Sequence, residues 1–552
     1  MESIRFVLIV CFAMVSMKLW TSWEDSYTNK EPVQIQQTSE STIKNSGPTE
    51  VPEIDTGPRS EVAPTKNQAI ENQQNSDPVS IVTDVFQLKI DRRGGVISRA
   101  ALNDFPTSID KPADPYVLMD NSPELVQLAQ GGLLSKQPAP THESIYQTSE
   151  QSYTLKQEED TLLVPFTWTQ DGISVTKTFE FERGSHLVKI SYRISNNTKM
   201  NWVGRAYTQL KRNAPSTKGM RVMNTYTGAV LSGPDNRYEK ISFKEITSQP
   251  LARDAADAWI AMIQHYFLVA LIPADKTGTY HYYTRDLGNN LFAAGALTPQ
   301  VEILPGEIHE VIEQLYVGPK DQKKLEKIAS GLDLTVDYGK LWFLAKPLFW
   351  GLSSVHEVTN NWGWSIILIT VFLKILFYKL SAAGYKSMAN MRRVQPRLVA
   401  LRDRYKDDKV KMNQAMMQIY KEEKINPLGG CFPIMIQIPV FMALYWVLLE
   451  SIELRQADFI FWLHDLSAPD QFRVLPVLMG ITMFIQQKLN PAPIDPIQAK
   501  VMMIMPFAFT IFFSFFPSGL VLYWVVNNTL SIVQQWIITQ NLEKAGLSSR
   551  PR

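Results

Sequence analysis

The last third of this 552-residue chain carries five apolar stretches, at 362–380, 431–449, 472–487, 501–516 and 520–538. A bilayer core about 30 Å thick asks for roughly 20 apolar residues per helix. Within it, only structures that satisfy every backbone N–H and C=O internally survive. Several stretches are short, which implies tilted helices or a locally thin bilayer. The run from Ile4 to Trp20 adds a sixth candidate span. A cleaved signal peptide would need small residues before its cleavage site, but the run ends Lys18-Leu19-Trp20-Thr21-Ser22-Trp23. A lipoprotein signal would need a small residue before Cys11, where Val10 stands. Segment 1–23 therefore reads as an uncleaved anchor.

Charge orients these spans. Between 381 and 426 there are eleven Lys/Arg against five Asp/Glu, whereas the loop 450–471 holds one basic residue, Arg455. The excess of positive charge belongs in the cytoplasm. Alternation then places both termini inside and everything between the first two spans outside, with Arg473 as a mild exception. The basic tail 541–552 is cytoplasmic on this scheme.

The rest of the chain is built differently. Residues 24–80 are rich in Gln, Ser, Thr, Asn, Glu and Pro, too poor in apolar surface to offset their ordering entropy; they read as a flexible tether. From 81 to 318 the texture is short strands. Val85–Ile90 alternates, meets Gly94-Gly95 and runs back through Leu102; Ile173 to Ile194 alternates around a turn at Arg183-Gly184-Ser185. This pattern predicts a large antiparallel sandwich outside the bilayer. Residues 319–361 look helical: Leu341, Ala345, Leu348, Leu352 and Val355 recur at helical spacing beside Trp342, Phe349 and Trp350, with Pro347 as a kink or a helix start. Such a segment either lies in the membrane interface or caps the sandwich.

A net charge of +1 and a mean hydropathy of −0.12 average these unlike parts. The balance excludes a basic nucleic-acid-binding field, so no specific nucleic-acid partner is expected. Two cysteines, Cys11 and Cys431, both in apolar stretches, exclude a disulfide scaffold and a multi-cysteine zinc site. No catalytic or phosphate-cradling motif occurs, and the seven histidines are scattered. The expectation is no enzyme, no metal and no cofactor.

Lys374 is the singular residue. It falls inside the span 362–380, where a charge costs about 2.5–3.5 kcal/mol on insertion scales. It either faces a water-filled cavity or snorkels past Leu380. Thr370, Lys374 and Tyr378 share a helix face at i, i+4 and i+8. Possible partners are Gln437 and the polar residues of the last span, of which Asn527, Ser531 and Gln535 share a face. They are either interhelical hydrogen-bond glue or the lining of a hydrated cavity. The loop 381–426 reads as an amphipathic helical hairpin. Met388 and Met391, beside Arg392 and Arg393, lie on one helix, Met412 and Met416 on the other, and Asp407-Asp408 at the turn. It is either a connector drawn to anionic lipid or a docking element for apolar polypeptide.

Asn426-Pro427-Leu428-Gly429-Gly430-Cys431-Phe432-Pro433, Gln437-Ile438-Pro439 and Phe516-Pro517-Ser518-Gly519-Leu520-Val521-Leu522-Tyr523-Trp524 resemble the YidC membrane-protein insertase family over about 340–545. The resemblance implies a polytopic α-helical protein of the bacterial inner membrane, with six transmembrane helices. A five-helix core at 362–540 would carry the cytoplasmic hairpin, and a periplasmic β-super-sandwich would be shaped like sugar-mutarotase folds without their catalysis. It implies a hydrophilic groove open to cytoplasm and lipid, with its positive residue at Lys374; the polar residues read above, Thr370, Tyr378, Gln437, Asn527, Ser531 and Gln535, with Tyr523 and Trp524, are the expected lining. It implies as partners nascent membrane proteins (single-span chains with acidic N-tails among them), the ribosome, the Sec translocon and the phospholipid bilayer. The family's Gram-negative branch commonly has arginine where this sequence has Lys374, so the charge is kept and the bidentate fork is not.

Overall fold

The computed structural model describes residues 51–52, 78–215, 225–405, 408–423, 432–490 and 496–544. The expected anchor, most of the tether, the 426–431 part of the glycine motif and most of the basic tail lie outside the described residues. Two compact units form, a β unit within Gly47–Tyr338 and a helical unit drawn from Gly339–Leu449 and Leu454–Arg552.

The β unit is the predicted sandwich, an eleven-stranded sheet and an eight-stranded sheet. It is antiparallel except where Val79–Val82 pairs in parallel with Ser152–Thr154. Alternation sets each register. Strand Ile173–Glu182 buries every second residue from Ile173 to Phe181 and pairs Val175 with Ile194, Phe179 with Ile190 and Phe181 with Val188. A one-residue slip would turn this whole apolar set outward. The turn that closes the hairpin holds Gly184 at φ +69°, a region that glycine enters without steric cost. The other expected turn is more demanding: Gly94 has φ +76°, and a Cβ there would lie 2.1 Å from the His142 carbonyl oxygen.

A charged side chain enters the sandwich core. Lys177 is buried and donates to the carbonyls of Gly94 at 3.0 Å, Gly95 at 2.9 Å and Gly131 at 3.3 Å. Its Nζ also stands 5.1 Å from the centre of the Phe179 ring, within cation–π range. Glu313 is buried and accepts a hydrogen bond from Thr208 Oγ1 at 2.7 Å. Burial pushes the lysine down to about 7 and the carboxyl up to about 7, since desolvation disfavours either charge. Among the described residues two α-helices belong to this unit, α1 (Phe243–Ser248) and α2 (Gln322–Ile328).

The helical unit contains α3 (Trp342–Thr359), α4 (Trp362–Leu376), α5 (Tyr378–Arg404), α6 (Lys409–Glu422), α7 (Phe432–Glu450), α8 (Val474–Leu489), α9 (Pro496–Phe513) and α10 (Ser518–Lys544). Helix α3 buries Ala345, Leu348, Phe349 and Leu352 and leaves Trp342, Phe343 and Trp350 exposed, so its two faces differ. Pro347 lies inside it rather than at its start. Helices α8 and α9 approach so closely that a Cβ on Gly480 would stand 2.0 Å from Thr510 Oγ1.

The spans are less simple than five straight rods. Among the described residues no single helix is long and apolar enough to cross a membrane. The expected span 362–380 is broken: α4 ends at Leu376, and α5 leaves it at a bend of 68°. At about 1.5 Å per residue, fifteen residues reach roughly 22 Å, short of a hydrocarbon core of about 30 Å.

Candidate functional site

The break fixes the setting of Lys374. It lies in the last turn of α4, where the helix dipole favours a cation; the sequence alone places it mid-span. Asn361 starts that helix, its side chain accepting from the Trp364 N–H at 3.1 Å. From α4 the half-buried Lys374 reaches α10 and donates to Ser531 Oγ at 2.7 Å. One turn earlier, Thr370 is buried and donates to the Ile366 carbonyl at 2.6 Å.

Two adjoining cavities surround this contact. The smaller, about 40 Å³, is lined by Thr370, Lys374, Gln437, Tyr523 and Asn527, by Leu380 and Ser381 of α5, and by apolar residues of α4 and α7. It has room for a few waters at roughly 15 Å³ apiece. The larger, about 370 Å³, lies among α7, α8, α9 and α10. Six amides line it: Gln437, Gln486, Gln487, Asn490, Asn527 and Asn528. Ser531, three methionines and the aromatic Phe441, Tyr523 and Trp524 complete most of its wall. Gln437, Tyr523 and Asn527 border both cavities.

The aromatic wall is held from two sides. Tyr523 hydrogen-bonds Gln437 and stacks on Phe441 at 6.2 Å. Trp524 meets the same Phe441 edge-on at 5.0 Å. Among the described residues its buried indole N–H has no hydrogen-bond partner.

Not every expected residue joins the site. Tyr378 is exposed beyond the bend, so the polar stripe of Thr370 and Lys374 does not continue through it. Its backbone carbonyl, not its ring, meets α10, by accepting from Gln534 at 3.5 Å. Gln535 is buried and donates to the Leu489 carbonyl at 3.2 Å and to Asn490 at 3.3 Å, fastening α10 to the end of α8. Sequence reasoning missed Gln486, Gln487, Asn490, Met483, Met502 and Met505. The amide run at the end of the third core stretch was the available signal.

The hairpin also differs in detail. Asp408 caps α6 by accepting from the Lys411 N–H at 3.0 Å, as the turn reading requires. Val394 and Leu398 are buried at its seam, with Met391 and Met416 packed against them, so these two methionines hold the hairpin together rather than line an open docking face. Met388 and Met412 are half-buried and Arg392 is exposed. The strongly exposed methionine is Met417, which the sequence reading did not single out. Arg393 and Arg397 both reach Glu423, at 2.7 and 2.8 Å.

Apolar helices around a polar, lysine-bearing cavity, in a chain that also carries a β-sandwich, define a class of protein that shelters polar groups among apolar helices. Two family models match this chain, the YidC periplasmic domain over 78–351 and the 60Kd inner membrane protein over 354–545. A membrane protein insertase YidC from Thioalkalivibrio sulfidiphilus is 45% identical over 559 residues, covering 99% of this chain and 100% of the relative. Its counterpart from Methylococcus capsulatus is 46% identical over 548 residues, with 99% of each chain covered. A solved structure titled as an active YidC insertase with its first transmembrane domain resolved matches at 18% identity and a TM-score of 0.38, covering 83% of this chain and 92% of that one. The chain belongs to the YidC membrane protein insertase family.

Proposed function

We propose that this protein inserts single-span and other small membrane proteins into the inner membrane without nucleotide hydrolysis, alone or with the Sec translocon. Its groove carries one positive charge, on Lys374. The observation that supports this most is the Lys374 ammonium, held 2.7 Å from Ser531 beside a cavity lined by six amides. A polar or acidic N-terminal segment meets fixed dipoles and one charge there, which shortens the apolar distance it must cross. Its apolar helix then passes Gln437, Tyr523 and Trp524 into lipid. Twenty apolar residues at about −0.3 to −0.6 kcal/mol each supply roughly −6 to −12 kcal/mol. The membrane potential adds about 2.3 kcal/mol per acidic charge moved outward per 100 mV. These magnitudes suffice for one or two acidic residues; longer charged loops call for the translocon.

The remaining parts fit this reading. The six spans, with both termini and the basic hairpin cytoplasmic and the β unit periplasmic, follow the charge asymmetry of the loops. The hairpin's exposed Arg392 and Met417 suit anionic lipid, the ribosome and arriving apolar segments. Helix α3 lies in the outer interface through Trp342, Phe343 and Trp350. Reconstitution tests the proposal. Purified protein in nucleotide-free liposomes should insert a single-span substrate that empty liposomes do not, and equal insertion in both overturns it.

A further inference from the structure

We propose that Ser531 is a positioning residue: it holds the Lys374 ammonium at the wall of the amide-lined cavity, so an acidic substrate segment meets the charge from that cavity. The inference rests on the insertase reading above and names which residue aims its charge and from which side the substrate arrives.

Lys374 lines the smaller cavity and Ser531 the larger. The 2.7 Å contact between them therefore crosses from one to the other. The Ser531 hydroxyl donates its own proton to the Asn527 carbonyl at 2.7 Å, which fixes its rotation and turns its lone pairs away from α10. One lone pair accepts from Lys374, and the Tyr385 side chain also hydrogen-bonds this hydroxyl. One buried oxygen thus joins α4, α5 and α10. An ammonium has three donors; among the described residues Ser531 takes one, and two are left for a carboxylate. Size decides the side of approach. A cavity of about 40 Å³ holds a few waters, whereas one of about 370 Å³ admits a side chain with its backbone. Without the hydroxyl, the flexible lysine stem is free to swing toward the headgroups, as such stems do near a helix end.

The test uses full-length protein in liposomes and two single-span substrates that differ only in Asp or Asn residues of the N-tail. Ser531→Ala should insert the acidic substrate about tenfold more slowly, the scale of a hydrogen bond to a charged group. The amide substrate should be slowed markedly less than the acidic one, and Ser531→Thr, which keeps a hydroxyl, should restore the acidic one. Unchanged insertion of the acidic substrate, equal loss of both substrates, or no rescue by Ser531→Thr overturns the proposal. Wild-type protein that inserts neither substrate overturns the insertase reading instead. If Ser531→Ala does not accumulate, a photo-crosslinker beside the acidic residue of a stalled substrate gives the answer in wild-type protein. Adducts on Met483 or Met505 support the proposal, and adducts confined to Leu380 or Ser381 overturn it.

Discussion

Two lysines, the buried Lys177 and the half-buried Lys374, show what separates the two units. Lys177 in the sandwich donates to three backbone carbonyls between 2.9 and 3.3 Å away and stands close to aromatic rings. Lys374 in the helical unit has, among the described residues, a single hydroxyl partner at 2.7 Å and lines a cavity. The first is saturated, so it serves the fold. The second keeps donors to spare among the described residues, which we assign to a substrate. Hydrogen-bond saturation, together with burial, separates the two charges.

Substitutions break this comparison in different currencies. Lys177→Met leaves three carbonyls short of a donor, at about 1–3 kcal/mol per unsatisfied group, and removes the positive charge that acts on Glu313. The full-length protein in micelles should lose about 3 kcal/mol or more of β-unit stability by thermal unfolding, with the helical unit's transition unmoved. Lys374→Glu should leave both transitions in place and slow insertion of acidic-tailed substrates by at least about tenfold, while Lys374→Arg stays near wild type because the charge survives without the need for a fork. Stability of the β unit should also depend on pH through its buried pair. The Glu313 carboxyl is raised from 4.5 to about 7, so its contribution is full below pH 4.5 and falls as pH rises to 7. Lys177 is lowered from 10.5 to about 7, so its charging penalty is full below pH 7 and disappears as pH climbs toward 10.5. The two produce a trough near neutrality, and Lys177→Met with Glu313→Gln should flatten it in melting curves from pH 4 to 10. The smallest effect is expected for Glu423→Gln, which frees the exposed Arg393 and Arg397. It should cost about 0.5 kcal/mol or less of hairpin stability by hydrogen exchange, as surface pairs do.

How much of this the sequence carries depends on periodicity. Alternation in Ile173–Ile194 is legible as a hairpin, and it also places Lys177 on the inward face between Val175 and Phe179. Glu313 falls on the inward face between Val311 and Leu315 in the same way. The pattern that announces a strand therefore announces its buried charges as well. Lys374 and Thr370 are legible because a polar residue in an apolar stretch has few explanations. Tyr378 misleads because helical spacing presumes an unbroken helix, and the break at Phe377 has no proline or glycine to mark it. Met391 and Met416 mislead because methionine suits a seam as well as a docking face. The larger cavity is illegible, since its wall comes from four helices whose packing no single stretch encodes.

The account turns on whether the charge at position 374 selects substrates. The direct measurement is the ratio of insertion rates, in energised liposomes, for two single-span substrates that differ only in N-tail Asp or Asn, taken for wild type and Lys374→Glu. The account predicts a ratio that favours the acidic tail in wild type and drops below one in the variant. The same ratio in both proteins would contradict it.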